Sequence, residues 1–374
     1  MRRIPVSTAV IVLGMCVFWV MLGSRLLPIA QRHDFLDLYT GGRLALEGRF
    51  AELHSAAVQL AEQRRIVPDL AEVVPFMRPV FYALALAPIG ALPYHAAFLV
   101  WLALQSALLI GCWIWAWRRF GPDALVYSAL FLPAPLGIAA GQDCVIMLAL
   151  LIIAFEIDQR GHAFASGCVL ALMLFKFHLV VLWPVAMLIQ KRWRMFAGFC
   201  AVGAGEVLLS LALGGMAEAR LYVAMLGDKT LDRAFISEPL MVSYQGFLAN
   251  LGIESMWVAA LMIAGILVLF LRAIVNGPIF VLAPLASLLV VPHVYAYDTA
   301  LLLAPILFTI FQSKNKAARI GAALLATPIP FGFALADKPW AIVASASLMV
   351  FFIIIAADAH SFMLLKKMAA NEHE

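Results

Sequence analysis

Apolar residues fill this chain in long runs, and polar residues interrupt them at short intervals. The runs begin near Val6, His95, Ala124, Val145, Ala163, Leu179, Phe196, Met256, Pro278, Tyr295, Ile320 and Trp340, and each ends at a charged or turn-rich break. Their lengths, roughly 11 to 25 residues, bracket the ~20 residues with which a helix crosses the hydrocarbon core of a bilayer. The pattern therefore predicts an all-α polytopic membrane protein of about twelve transmembrane helices, built as one integral membrane domain over residues 1–374. The pieces 163–175 and 179–189 reach only ~20 Å and ~17 Å at 1.5 Å per residue, so they are expected to tilt or to re-enter.

Two long connections stand out, an outer loop at 29–78 and a second at 214–254. The first carries apolar residues at helical spacing over Leu38 to Phe50 and Ala56 to Ile66, which predicts amphipathic surface helices. Val80 to Leu92, between Pro79 and Pro93, is apolar but too short to span, and is expected to dip into the membrane.

Composition agrees: 64% of residues are hydrophobic and 13% charged, against about 25% charged in a soluble domain. The net charge of +4 is small and scattered, with no basic stripe interleaved with aromatics, so nucleic acid is not an expected partner. Basic residues report topology instead. Alternating twelve spans puts Arg2, Arg3, Arg118, Arg119, Arg160, Lys191, Arg192, Arg194, Arg272, Lys314, Lys316, Arg319, Lys366 and Lys367 on the side of both termini, which is fourteen of the 26 Lys and Arg. By the positive-inside rule both termini are expected in the cytoplasm. The first run lacks a small-residue cleavage pattern and reads as an uncleaved helix. Cys16, Cys112, Cys144, Cys168 and Cys200 lie in or beside apolar runs, without the spacing of a metal site, and read as core residues.

Ionisable residues at membrane depth are costly, and they gather at the outer face: Asp34 and Asp37, Arg78, Gln142 and Asp143, Lys176 and His178, and His293 with Tyr295, Tyr297 and Asp298. Lys176 interrupts an apolar hairpin and needs an anion. A phosphate at the membrane surface would serve, as would Asp143 or Asp298, and a lysine snorkelling from a helix end is the plainer reading. His293 could orient a carboxylate, share its proton or bind a sugar hydroxyl, or could be a satisfied histidine at a helix start with Asp298 in the first turn. Asp34 could cap a helix beginning at Leu38 or act as a general base. Glu206 is the one acid in mid-span, suited to pairing between helices or to the proton transfer of a transporter.

At these residues the chain resembles glycosyltransferase family 87, which includes bacterial polyprenyl-phosphate-mannose-dependent α-mannosyltransferases of the GT-C fold. The resemblance rests on Asp34-Phe35 with Tyr39 and Gly42-Arg43-Leu44-Ala45-Leu46-Glu47-Gly48, and on Pro75-Phe76-Met77-Arg78-Pro79-Val80-Phe81 leading to Ala87-Pro88 and Leu92-Pro93. It continues through Gly141-Gln142, Lys176, Pro292-His293 and Tyr297-Asp298. The family's usual Tyr-Pro-Pro is replaced by Arg78-Pro79-Val80, and its lysine is followed by Phe177.

The resemblance implies a GT-C-like bundle that moves a sugar, mannose in the best-known members, from a polyprenyl-phosphate carrier to a glycolipid or glycan acceptor. The chemistry is expected on the extracytoplasmic face of a bacterial inner (plasma) membrane, with inversion and with membrane lipids as surroundings. The carrier sugar is a substrate, and neither cofactor nor metal is called for. In that scheme Asp34 and His293 are catalytic, Lys176 and Arg78 hold the donor phosphate, and Gln142, Asp143, His178, Tyr297 and Asp298 bind substrate. The alternatives are a transporter or flippase of a lipid-linked sugar and a catalytically silent scaffold.

Overall fold

The computed structural model describes residues 4–228, 237–336 and 338–358. Arg2, Arg3, Lys366 and Lys367, and part of the second long loop, lie outside the described residues.

The described chain is helical, without a β-strand; one isolated antiparallel bridge joins Met241 to Tyr295. Its helices are α1 (Val6–Ala30), α2 (Asp34–Leu46), α3 (Ala56–Arg64), α4 (Val80–Gly90), α5 (Tyr94–Phe120), α6 (Asp123–Leu130), α7 (Pro133–Ala139), α8 (Cys144–Gln159) and α9 (Ala163–Ala171). There follow α10 (Trp183–Ile189), α11 (Trp193–Gly227), α12 (Tyr244–Leu251), α13 (Met256–Ile274), α14 (Ile279–Val290), α15 (Leu303–Gln312), α16 (Lys316–Leu325), α17 (Pro328–Phe333) and α18 (Ile342–Ala357). Tight 3-10 turns at Leu172–Val180 and Ala296–Leu302 lead into α10 and α15.

Five stretches, Val6–Ile29, Tyr94–Phe120, Ala163–Val180, Trp193–Gly227 and Met256–Ile274, are long and apolar enough to cross a membrane. Val80–Gly90, Ile279–Val290, Ala296–Gln312 and Ile342–Ala357 are apolar but shorter, and each apolar run read from the sequence coincides with a helix or a helix pair. Bonds between helix ends sort the connections into two ends of the bundle. At one end Arg192 pairs with Asp158, Trp115 donates to Glu156 at 2.8 Å, Gln190 donates to the carbonyls of Ile274 and Gly277 at 2.7 Å, and Arg319 donates to the carbonyl of Ile310 at 2.9 Å. The basic residues expected together lie here, as far as they are described. At the opposite end Tyr94 bonds the carbonyl of Gln31 and Val242 donates to the carbonyl of Val294 at 2.8 Å. Large apolar side chains such as Leu208, Val223, Trp257 and Leu261 point outward, as lipid-facing positions require.

Both helices expected in the first long loop form, but α2 sits deeper than its pattern suggested. It starts at Asp34, and Phe35 to Ala45 is buried apart from Arg43. The reason is its crossing with α4. A Cβ on Gly42 would stand 2.5 Å from the carbonyl oxygen of Leu86, and one on Gly90 would strike the backbone of Gly42. Only glycine lets the two backbones approach this closely. The short helix between Pro79 and Pro93 forms as expected, and it is α4 that holds α2 inside the protein.

Helix α11 breaks at Gly215, where φ is +76°. Such a backbone costs a side-chain-bearing residue free energy and costs glycine none. The break sets off the last part of α11, which carries Glu218 and Tyr222.

Candidate active site

The end of the bundle bearing α2 collects the charged residues, and each arrives by a local feature of its own segment. Asp34 and Asp37 occupy the first turn of α2, three residues apart and so on one face of the helix. The residue before the helix is His33, which makes no capping bond. Asp34 is therefore not the cap of a helix starting at Leu38, because the helix already begins at Asp34. Arg78 lies in an irregular segment that leads to Pro79 and α4. Asp143 precedes α8, fully buried. Lys176 sits at the apex of the hairpin between α9 and α10, where its φ of −117° and ψ of 57° break the helix. Asp298 lies in the first turn at Ala296–Leu302, where its Oδ2 accepts the Tyr295 backbone N–H at 3.0 Å.

Two cations and two carboxylates then interlock. Arg78 Nε donates to Asp143 Oδ2 at 3.1 Å, and its Nη2 to Gln142 Oε1 at 3.4 Å. Lys176 Nζ lies 2.8 Å from Asp143 Oδ1 and 2.8 Å from Asp298 Oδ1, with Gln142 Oε1 at 3.1 Å. A lysine has three N–H donors, and all three are taken. The readings of Lys176 as partner of Asp143 or of Asp298 are thus both realised, whereas snorkelling is not: the ammonium is buried. Tyr297 presents its ring 5.7 Å from Nζ. Arg78 keeps capacity, since Nη1 makes no hydrogen bond to any described residue.

Charge balance follows from these contacts. Burial would raise the Asp143 carboxyl, but Arg78 and Lys176 outweigh it and hold it well below the usual carboxylate range. Asp34 is half-buried at the wall of a cavity. Enclosure by protein pushes its pKa up to about 6, and the Gln142 amide, Lys176 and Arg78 limit the rise. Asp37 is buried, and its Oδ1 has no hydrogen-bond partner among the described residues. Burial drives its carboxyl well above the usual range, Arg78 opposes the rise, and Asp34 and Asp143 add to it.

Beside Asp34 opens an apolar slot of about 200 Å³, walled by Leu26 and Ile29 of α1, Leu136 and Ala140, Leu240, Ala334 and Leu335, with His33, Asp34 and Tyr297 among its polar positions.

The other expected site residues divide. Gln142, Asp143, Tyr297 and Asp298 stand within the cluster. His178 is half-buried, with its ring on edge against Phe177 at 5.8 Å, and feels Asp298, Lys176 and His293 through space without bonding them. His293 is exposed and on edge against Tyr295 at 5.0 Å, and it does not hydrogen-bond Asp34. Glu206 is buried, yet neither carboxyl oxygen has a hydrogen-bond partner among the described residues, so the expected pairing between helices is not made. Asp37 was visible as an acid one turn after Asp34, but nothing in the sequence set it inside the cluster. Tyr82, stacked on Phe175 at 4.2 Å beneath Arg78 and Asp143, gave no signal beyond an aromatic in an apolar run. Among the described residues no three of His, Cys, Asp or Glu are grouped to hold a metal.

A helical multi-pass membrane protein with a buried charged cluster at one end beside an apolar slot is the class that fold and site define. The chain matches glycosyltransferase family 87 over residues 76–305, more than half its length, and belongs to that family. It is therefore a membrane glycosyltransferase. The matched region contains Arg78, Gln142, Asp143, Lys176, His178, His293, Tyr297 and Asp298; Asp34 and Asp37 precede it. No curated protein and no solved structure matches the chain.

Proposed function

We propose that this glycosyltransferase takes its sugar, mannose by family resemblance, from a polyprenyl-phosphate carrier and passes it with inversion to a glycolipid or glycan acceptor. The observation that carries this reading is the placement of Asp34: one carboxylate borders both the apolar slot and the Arg78–Asp143–Lys176–Asp298 cluster. An isoprenoid chain fits a slot lined by leucine and isoleucine, and its phosphate would then lie at the polar end.

In the transfer, the acceptor oxygen attacks the anomeric carbon while its proton passes to Asp34. The bond from that carbon to the phosphate oxygen breaks, and its electron pair leaves with the phosphate. A carboxylate with a pKa near 6 is a better base than an ordinary aspartate and is still mostly ionised at neutral pH. Arg78, with an unused N–H group, is placed to meet the charge that develops on the leaving group. Lys176 holds Asp143 and Asp298 in place and reaches the phosphate only by releasing one of them. His293, exposed and unbonded to Asp34, fits an acceptor contact better than the orienting role expected from the sequence.

The basic residues at the opposite end of the bundle support a cytoplasmic location for that end, and on this reading the site faces the extracytoplasmic side of a bacterial inner membrane. The test is transfer by the purified full chain from radiolabelled polyprenyl-phosphate mannose, compared with Asp34→Asn. Consumption of donor by the wild type and its loss in a folded variant is the expected result. Undiminished transfer by Asp34→Asn removes Asp34 from the mechanism.

A further inference from the structure

Val74 to Pro79, the segment that delivers Arg78, forms neither helix nor strand. Its backbone is held by side chains instead, at alternate residues. Gln63 exchanges two hydrogen bonds with Val74, at 2.6 and 2.9 Å, Gln59 accepts the Phe76 N–H at 2.8 Å, and His54 Nε2 donates to the Arg78 carbonyl at 2.8 Å. His54 is in turn fixed from far along the chain. Glu218 Oε1 accepts its backbone N–H at 3.0 Å and meets its Nδ1, and both side chains are buried, with 0% and 1% exposure. With Nε2–H committed to a carbonyl, Nδ1 faces the Glu218 carboxylate. Tyr222, one turn beyond Glu218, lays its ring 4.4 Å from the imidazole and donates to the Met77 carbonyl at 3.5 Å.

We propose that the His54–Glu218 pair is a positioning device for Arg78: it fixes the backbone from which the guanidinium reaches Asp143 and the leaving phosphate. A buried ion pair is poor evidence of stabilisation, because an apolar pair of the same volume often does as well. What this pair supplies is direction. It is one of four side-chain clamps on the segment, and with Tyr222 it ties the segment to the part of α11 beyond Gly215, there through a buried charge pair that grips the Arg78 carbonyl itself. The break at Gly215 turns that part of α11 to where Glu218 can reach His54.

The inference rests on the reading of Arg78 as the group that meets the donor phosphate, and the experiment separates the two. Glu218→Ala, Glu218→Gln and Arg78→Lys, with each Glu218 variant also made in the Arg78→Lys background, are compared as purified full chains on radiolabelled polyprenyl-phosphate mannose. Backbone hydrogen exchange over 74–79 is followed in parallel. Glu218→Ala is expected to lower kcat/KM by about tenfold or more, as small misplacements of reacting groups do. Glu218→Gln, whose amide oxygen can still accept the His54 backbone N–H, restores most of it, and in the Arg78→Lys background Glu218→Ala adds little further loss. Unchanged kcat/KM in Glu218→Ala overturns the inference, as does a loss that multiplies in full with that of Arg78→Lys, or a fall in folded yield alone. If Arg78→Lys itself leaves transfer intact, the phosphate role of Arg78 fails and exchange decides the clamp. Faster exchange confined to 74–79 in Glu218→Ala then supports it, and unchanged exchange refutes it.

Discussion

Replacing Asp34 by asparagine should make the protein more stable and catalytically dead at once, and the size and pH dependence of the gain can be worked out. The carboxyl has an ordinary pKa of 3.8 and is pushed up to about 6 in the folded protein. A group held in a site that raises its acid pKa favours the protonated form, so above the unfolded pKa its ionisation opposes folding. At about 1.36 kcal/mol per pKa unit, the opposition reaches about 3 kcal/mol at pH 7, falls to about 1.6 kcal/mol at pH 5, and is nearly gone below pH 4, where both states carry the proton. Asparagine carries no such charge and keeps a polar neighbour for Gln142. Thermal or denaturant unfolding of wild type and Asp34→Asn across pH 4 to 8 reads the difference directly, alongside donor consumption. A variant that is less stable at pH 7, or whose advantage does not shrink on acidification, would show that Asp34 is not the strained base described here.

Three further outcomes follow from the same contacts. Transfer by the wild type should rise with pH through about 6 as Asp34 ionises, so a rate–pH profile flat between pH 5 and 7 would count against it as the base. Lys176→Met leaves Asp143 and Asp298 without their shared cation and should cost about 3–5 kcal/mol, read as a fall in melting temperature and in folded yield; Lys176→Arg should lose less. Gly42→Ala puts a methyl group 2.5 Å from the Leu86 carbonyl oxygen and should cost about 1–3 kcal/mol or more by forcing α2 from α4, with activity falling as Asp34 moves. An unchanged melting temperature would show the crossing to be looser than it stands.

Much of this was legible before any coordinates, for physical reasons that also mark the boundary. Lipid demands long apolar runs, so every helical pass left a mark, and prolines framed α4 because they cannot continue a helix. Arg78, Gln142, Asp143, Lys176 and Asp298 could be assembled because a charge among apolar neighbours is expensive and needs a partner. The depth of α2 was hidden. Its amphipathic pattern fits a lipid surface as well as a protein groove, and only the contact of Gly42 and Gly90 with their neighbours chooses between them. His54 and Glu218 were invisible for another reason: their pairing spans 164 residues, and each falls within one of the two long connections, where a histidine or glutamate draws no attention. His293 was expected to steady Asp34 because both lie at the outer face, and position along the membrane normal says nothing about which side chains touch.

The mutual cancellation of Arg78 and Lys176 by Asp143 and Asp298 bears on selectivity. A pocket whose opposite charges already satisfy each other exerts little pull on inorganic phosphate or any other small dissolved anion, which would have to break internal bonds to gain its own. A lipid carrier of the kind proposed, anchored in the neighbouring slot, would bring its headgroup to those bonds at high local concentration, through the grip on its hydrocarbon. On the proposed reading the enzyme discriminates by the tail and reacts at the head, and competition from soluble phosphates is suppressed without any residue dedicated to excluding them.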